Sequence, residues 1–395
     1  MKEIALAAYA DLMKNYWNEK ENRFKRDAQG FVDDTLTGQA ESIWSNGMVV
    51  IALDMLYEAT KNEEIAQKIA AQWRVNKTYF TDEQFVTPNL PPNYASDDCG
   101  WNAMMYMIFY KYTKDSYILD MTSRLLYNCY EEYKVGSLEN GIWYSINPGQ
   151  PYHHTGTSVF AAGIIHGTLD LYDVTHDRKL YDMAKISYDY IERMMLRNGK
   201  KEYPDITVDC DDMLYWSDFL IKNVDGEYVP DAPKGAERPY SIREAGSVSS
   251  LEGNMAMAAL HGRYYRYTGD EHYRKRAVET VRALHDSVPY DNNGVYVNDR
   301  DGWANSTFMK YFVDYALMLP ETTERDHDRV YATAKSIYEN ARTPGGYYGA
   351  SWSGPAEGEG SRWWVIGTKP EQYMTSGNST AMIMAAAYLK SLRGK

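Results

Sequence analysis

Two adjacent carboxylates stand where a long apolar segment begins. Asp97 and Asp98 open the sequence Asp97-Asp98-Cys99-Gly100-Trp101, which leads into a predicted helix. Like charges at close range raise the pKa of one carboxyl, so that one acid keeps its proton while the other is ionised. Glycoside hydrolysis requires such a pair, and the positive end of a helix favours the ionised member. The same placement is also typical of two N-capping residues.

Other candidates for chemistry are weaker. The doublets Asp33-Asp34 and Asp211-Asp212 fall in long loops, where we expect solvated turn residues. They are second-choice candidates for the catalytic pair. His153 and His154 could carry protons, although a loop histidine more often only forms hydrogen bonds. His261 lies inside an apolar helical segment, which predicts a core residue.

Several classes of protein are disfavoured by motif and charge. No GxSxG or HExxH pattern occurs, and the stretch Gly354 to Gly360 has no lysine that could hold a phosphate. The 42 basic and 55 acidic residues give a net charge of −13, which disfavours nucleic acid and anionic membrane surfaces as partners. No apolar run is long enough for a membrane span. Cys99, Cys129 and Cys210 are too few and too scattered for a disulfide framework or a metal site, so we expect no cofactor and no metal.

The aromatic composition is unusual. The chain has 36 Tyr and 10 Trp but 9 Phe. Tyr and Trp combine a flat apolar face with a hydrogen-bond donor, which suits a wetted stacking surface such as a carbohydrate cleft. A tyrosine-rich core explains the composition equally well.

Helical periodicity dominates the sequence, in two kinds of segment that alternate. One kind is apolar on a single face, as between Tyr273 and Leu284. The other kind, for example Trp101 to Tyr112, is apolar nearly all the way round and must be buried on most sides. The two patterns predict twelve helices, near 3–17, 43–60, 63–79, 100–113, 115–134, 158–175, 177–196, 251–268, 270–287, 305–319, 326–342 and 377–393.

A recurring turn joins the two kinds of helix. It reads Thr60-Lys61-Asn62, Thr113-Lys114-Asp115, Thr175-His176-Asp177 and Thr268-Gly269-Asp270, and its Asn or Asp can cap the next helix. Six buried helices inside six amphipathic ones predict an all-α fold, an (α/α)6 toroid that forms one catalytic domain over 1–395. An open solenoid of helix pairs is the alternative, but its turns would be of similar length at every repeat.

The long connections all precede buried helices, so they should gather at one mouth of the ring. Residues at these positions are indoles, amides and a few carboxylates, without a clustered set of metal ligands, which favours a neutral sugar as ligand. The predicted substrate-binding residues are Trp44, Asn46, Trp101, His153, His154, Glu252, Asn254, Trp303, Trp363 and Asn378.

The motif Asp97-Asp98-x-x-Trp101, followed by an apolar helix that ends at Tyr112-Thr113-Lys114-Asp115, resembles glycoside hydrolase family 76, the endo-α-1,6-mannanases. The resemblance extends to Gly141-Ile142-Trp143-Tyr144, to the Asn254 helix and to the final helix from Ser376. It implies an (α/α)6 fold and a retaining double displacement on mannan, with Asp97 as nucleophile and Asp98 as acid/base.

The sequence departs from the family at one place in the motif, because Asn102 stands where a second Trp is common. Members of the family are generally exported, whereas Met1-Lys2-Glu3-Ile4 does not read as a signal peptide. We therefore expect a mature secreted or cell-envelope chain, with a cytoplasmic enzyme as the alternative, and a monomer that does not insert into membranes.

Two other functions fit the same mouth. A sugar epimerase on this scaffold would use His153 and His154 as proton carriers, and a glycan-binding protein would use the cleft without catalysis. Replacement of both histidines separates the first alternative from a glycosidase, and release of reducing ends from mannan separates the second.

Overall fold

The computed structural model describes residues 1–25, 40–77, 96–144, 157–158, 161–202, 207–233, 251–287, 291–296, 306, 308–322, 324–349, 351–355 and 375–392. The chain forms two compact units, of which the first comprises 1–80 and 288–395 and the second 81–287.

The first unit is built from helix pairs with one small hairpin. Its helices are α1 (Lys2–Tyr16), α2 (Ala40–Thr60), α3 (Glu63–Asn76), α10 (Met309–Tyr311), α11 (Glu324–Asn340) and α12 (Thr375–Ser391), and strands β1 (Trp17–Asn18) and β2 (Arg23–Phe24) pair antiparallel. Helix α12 packs against α1, α2 and α11. The described part of α12 is buried from Gly377 to Ala387, as its apolar sequence predicts.

The second unit contains three further helix pairs and most of the strands. Its helices are α4 (Ser96–Thr113), α5 (Ser116–Tyr133), α6 (Ala162–Thr175), α7 (Arg178–Met195), α8 (Leu251–Thr268) and α9 (Glu271–Ser287). Helices α4, α6 and α8 are buried along most of their length, whereas α5, α7 and α9 bury one face. The alternation of the two kinds of helix is confirmed.

The predicted cap turn is confirmed in all four copies. In each turn the middle residue, for example Lys114 with φ 56°, takes the left-handed conformation that ends one helix. The following Asp115 accepts a hydrogen bond from the backbone N–H of Tyr117 at 3.1 Å and so starts the next helix. Asn62, Asp177 and Asp270 do the same for Glu64, Lys179 and His272.

Glycine brings α4 and α6 into close contact. A Cβ atom on Gly100 would lie 2.5 Å from the backbone of Gly163, and one on Gly167 would lie 2.7 Å from the Cβ of Ala103. Real side chains do not approach so closely, so α4 can reach this position on α6 only because both residues are glycine. The contact fixes the start of α4, where the two aspartates lie.

Two hairpins occupy a region that the sequence predicts as loop. Strand β6 (Leu196–Glu202) pairs antiparallel with β7 (Thr207–Tyr215), and β8 (Asp218–Val224) pairs with β9 (Glu227–Pro233). Earlier in the chain, β3 (Lys134–Val135) pairs antiparallel with β4 (Ser137–Ile142). The short strand β5 (Thr157–Ser158) adds to the second hairpin by pairing with β8. The prediction of an unstructured link over 197–250 is therefore wrong for its first part.

The helix predicted over 305–319 is shorter than expected. Helix α10 continues into a π-helical segment, Phe312–Ala316, whose wider turns end at Leu317. None of the described helices is long and apolar enough to cross a membrane.

Candidate active site

Helix α4 carries Asp97 and Asp98 in its first turn. The helix begins at Ser96, four residues before the predicted start, so both aspartates lie inside the helix rather than ahead of it. The backbone N–H of Ser96 donates to the carbonyl oxygen of Tyr144 at 2.8 Å, which ties the helix start to the Gly141–Tyr144 segment. The backbone N–H groups at a helix start provide a positive potential, which favours a carboxylate there.

Asp97 has a carboxyl group whose pKa is raised above its usual value. Its side chain is half-buried, and its Oδ1 atom is enclosed without a hydrogen-bond partner among the described residues. Burial raises the pKa of Asp97 to about 6, although the backbone N–H groups of Asp97 and Asp98 and the Trp101 indole favour the charged form. Asp97 therefore changes charge near neutral pH.

Asp98 lies deeper than Asp97. Its side chain is 9% exposed, and its backbone carbonyl accepts a hydrogen bond from Nδ2 of Asn102 at 3.0 Å. Cys99 follows on the same turn, and a hydrogen bond with the Cys129 thiol together with burial raises the pKa of Cys99 well above its usual value. The Cys99 thiol is therefore neutral at physiological pH.

A third carboxylate faces the pair from strand β8. Asp218 is half-buried and close enough to raise the pKa of Asp97 by charge repulsion. Backbone pairing between Asp218 and Ser158 holds it in the three-stranded sheet. Asp218 was not predicted from the sequence. The signal that could have found it is the segment Trp216-Ser217-Asp218, in which an acid follows an indole by two residues, the spacing at which Asn46 follows Trp44.

The segment that leads to Asp218 is anchored by a buried cation. The guanidinium carbon of Arg197 lies 4.2 Å from the ring centroid of Trp216, and Arg197 Nη2 lies 2.8 Å from Asp212 Oδ2. Arg197 and Trp216 are each 3% exposed. The Asp211-Asp212 doublet is therefore not a solvated turn, because both residues lie in β7 and Asp212 forms this ion pair.

Two predicted binding residues of the second unit lie on α8. Glu252 is half-buried in the first turn of the helix. Asn254 is fully buried, and its Oδ1 accepts a hydrogen bond from the backbone N–H of Tyr215 at 2.9 Å. Trp101 is 5% exposed and lies one turn below the aspartates. Contact of these residues with a sugar stays a prediction, and the structure adds a structural role for Asn254 at the end of β7.

The remaining predicted residues are only partly described. Asn378 on α12 is fully buried, donates from Nδ2 to the carbonyl oxygen of Gly346 at 3.2 Å, and leaves Oδ1 without a partner among the described residues. The side chains of Trp44 and Asn46 lie outside the described residues, as do His153, His154, Trp303, Trp363 and the doublet Asp33-Asp34. Their binding roles stay predictions. His261 is a fully buried core residue, as predicted.

Two neighbouring acids in the first turn of a buried helix, one of them with a raised pKa, have the composition that glycoside hydrolysis requires. The model of glycosyl hydrolase family 76 matches residues 1–214. The chain belongs to this family.

Solved structures with the same fold cover nearly the whole chain. An α-1,6-mannanase of Salegentibacter sp. HEL1_6 is 16% identical with a TM-score of 0.67, over 99% of both chains. That structure is an inactive variant in which two consecutive aspartates are replaced by asparagine, in complex with α-1,6-mannotriose. A family 76 mannosidase of Bacteroides thetaiotaomicron is 14% identical with a TM-score of 0.68, over 99% of this chain and 98% of its own. The fold is the predicted (α/α)6 toroid. A search of curated protein sequences finds no match.

Proposed function

We propose that this glycosidase cleaves α-1,6-mannosidic linkages inside mannan chains, with retention of the anomeric configuration. The observation that carries the proposal is the Asp97-Asp98 pair in the first turn of α4, of which one member has its pKa raised to about 6. Membership of family 76 supports the class of reaction. The mannanase variant that is inactive when two consecutive aspartates are replaced by asparagine is in complex with α-1,6-mannotriose, and this supports the proposed substrate.

In the proposed reaction Asp97 attacks the anomeric carbon of the mannosyl unit that precedes the cleaved bond. The bond from that carbon to O6 of the next mannose breaks, and Asp98 gives its proton to the departing oxygen. A water molecule then attacks the anomeric carbon of the mannosyl ester and gives a proton to Asp98. This second step releases Asp97 as a carboxylate and the product with its original configuration.

The surroundings of Asp97 support its role as the nucleophile. Backbone N–H groups and the Trp101 indole favour its charged form, which is the form that attacks the anomeric carbon. Burial acts in the opposite direction, and a raised pKa would equally suit a general acid. The pH profile and covalent labelling described below separate the two assignments.

Stereochemistry and product size test the proposal together. The enzyme is incubated with linear α-1,6-mannan, and proton NMR follows the anomer that appears first, while chromatography follows the sizes of the products. The proposal predicts α-configured ends before mutarotation and a ladder of oligosaccharides. Release of β-configured ends would refute retention, release of mannose alone would refute internal cleavage, and absence of products would refute the substrate.

The pH dependence follows from the raised pKa of Asp97. Because the nucleophile must be ionised and kcat/KM reports the free enzyme, kcat/KM should fall about tenfold for each pH unit below a pH of about 6. Asp218→Asn removes a negative charge that raises this pKa, so the acid limb should move to lower pH. Burial, the larger cause, remains, so the limb should stay above that of an ordinary aspartate.

The control for this measurement is Asp211→Asn, the same change at an exposed aspartate of β7. Its acid limb should coincide with that of the wild type. A profile that falls only on the alkaline side of about pH 6 would contradict the assignment and identify Asp97 as the acid.

A further inference from the structure

A buried hydrogen-bond network lies at the end of β7, three residues before Asp218. Its centre is the hydroxyl group of Tyr215, which is fully buried. This hydroxyl contacts Glu192 Oε1 on α7, His261 Nε2 on α8 at 2.8 Å and Arg276 Nη2 on α9 at 2.8 Å. Three helices of the second unit therefore meet on one tyrosine oxygen.

The donors and acceptors of the network have one consistent arrangement. Arg276 can only donate, and Tyr215 donates to the Glu192 carboxylate, so His261 must donate to the tyrosine oxygen from Nε2. His261 Nδ1 is then an acceptor, and Tyr188 lies 2.7 Å from it as the donor. Burial lowers the pKa of His261 to about 3, which agrees with this neutral tautomer. Glu192 Oε2 receives Arg276 Nε at 3.2 Å and closes the network.

The backbone of Tyr215 and Trp216, the residues that lead to Asp218, is also held by hydrogen bonds. Asn254 accepts the N–H of Tyr215 at 2.9 Å, and the N–H of Trp216 donates to the carbonyl oxygen of Met195 at 2.9 Å. Arg197 covers the ring of Trp216. The described segment thus has few ways to move without breaking a buried hydrogen bond.

We propose that Tyr215 is a positioning residue for Asp218, and that the network around its hydroxyl group holds the segment from which Asp218 acts on Asp97. The inference rests on the proposed function, in which Asp97 reacts with the sugar. Tyr215 acts only through the segment that it anchors and does not contact the reacting atoms.

The charged and titratable groups around Asp97 set the background for a test. Asp98 and Cys99 share its helix, Cys129 and Tyr133 lie on α5, and Asp218 lies on β8. Arg197 and Asp212 pair with each other on the neighbouring hairpin. Of these groups, Asp218 is the one that follows Tyr215 directly in the chain, three residues beyond the network and at the start of β8.

The test is the acid limb of kcat/KM in Tyr215→Phe, which removes the hydroxyl group and keeps the ring. With the hydroxyl anchor gone and only the backbone contacts left, the segment should hold Asp218 less closely, so the limb should move to lower pH, in the direction of Asp218→Asn but by less. In an Asp218→Asn background, Tyr215→Phe should move the limb no further. The matched control is Tyr188→Phe, which breaks the network on the far side of His261 and should lower the melting temperature without moving the limb.

A limb that stays at the wild-type pH in a folded Tyr215→Phe enzyme would overturn the proposal, as would additive shifts in the double variant. Should Tyr215→Phe not fold, Asn254→Ser removes the acceptor of the Tyr215 N–H and carries the same expectations. Carbon NMR of labelled aspartate carboxyls measures the pKa of Asp97 without any substrate. This readout distinguishes failure of the positioning role from failure of the proposed mannanase activity, which shows in the wild type alone.

Discussion

Asparagine in place of Asp97 is expected to lower kcat on linear α-1,6-mannan by about 10³-fold or more, because an amide cannot form the glycosyl ester. Asp98→Asn should lower kcat by about 10²- to 10⁴-fold, since the departing O6 then receives no proton from the enzyme. Both variants keep the size of the side chain, so the helix start should be preserved. Initial rates of reducing-end release measure the effect, and circular dichroism checks the fold.

The leaving group separates the two roles. An aryl mannoside with a strongly acidic phenol needs little protonic assistance, so Asp98→Asn should retain most of the first-step rate on it. Asp97→Asn should stay inactive on both substrates. The control is Asp211→Asn, an exposed aspartate whose loss should leave kcat unchanged. Activity near that of the wild type in either active-site variant would contradict the assignment of the pair.

The second large effect concerns a buried ionic cluster in the first unit. Lys310 on α10 lies with Nζ 2.7 Å from Asp54 Oδ2, and the Asp54 side chain is fully buried on α2. Glu58 and Asp314 each lie 3.8 Å from the same nitrogen. Lys390 on α12 pairs with Glu58 and with Asp314. Lys310 is therefore a cation that compensates the buried Asp54 carboxylate at hydrogen-bond distance.

Lys310→Met should lower the free energy of unfolding by about 3–5 kcal/mol, because it removes the cation that is paired with a fully buried carboxylate. Urea unfolding followed by circular dichroism measures the loss. The matched control is Lys335→Met, at a half-exposed lysine that lies 3.9 Å from Glu339, where the loss should stay below about 1 kcal/mol.

A double variant, Asp54→Leu with Lys310→Met, checks the cause of that loss. Replacement of a buried ion pair by apolar groups of similar size is often close to neutral, so the double variant should recover much of the lost stability. Equal stability of Lys310→Met and the wild type would show that the Asp54 charge is not held by this lysine.

The helices could be predicted from the sequence because their signals are local. The turn at Thr113-Lys114-Asp115 contains its own cap and its own left-handed residue, so the pattern that predicts it also forms it. The hairpins were missed because their pairing depends on partners that periodicity does not reveal. The Asp225-Gly226 turn between β8 and β9, with both residues at positive φ, is the short-range signal that was overlooked.

The residues of the candidate site also differ in how far the sequence predicts them. Asp97 and Asp98 are neighbours in the sequence at a predictable helix start, so their pairing could be expected from the sequence alone. Asp218 acts on Asp97 from a distant part of the chain, through a segment whose path is set by contacts of Tyr215 with three helices. Such a residue becomes visible only when the tertiary contacts are known.

The central claim is that Asp97 forms a covalent bond with the sugar. The enzyme is incubated with a 2-deoxy-2-fluoro-mannosyl fluoride, whose fluorine at C2 slows the release of the ester, and the labelled peptide is sequenced by mass spectrometry. We expect one added fluoromannosyl group, located on Asp97. A label on any other carboxylate, Asp98 included, or an active enzyme that takes up no label, would contradict the account.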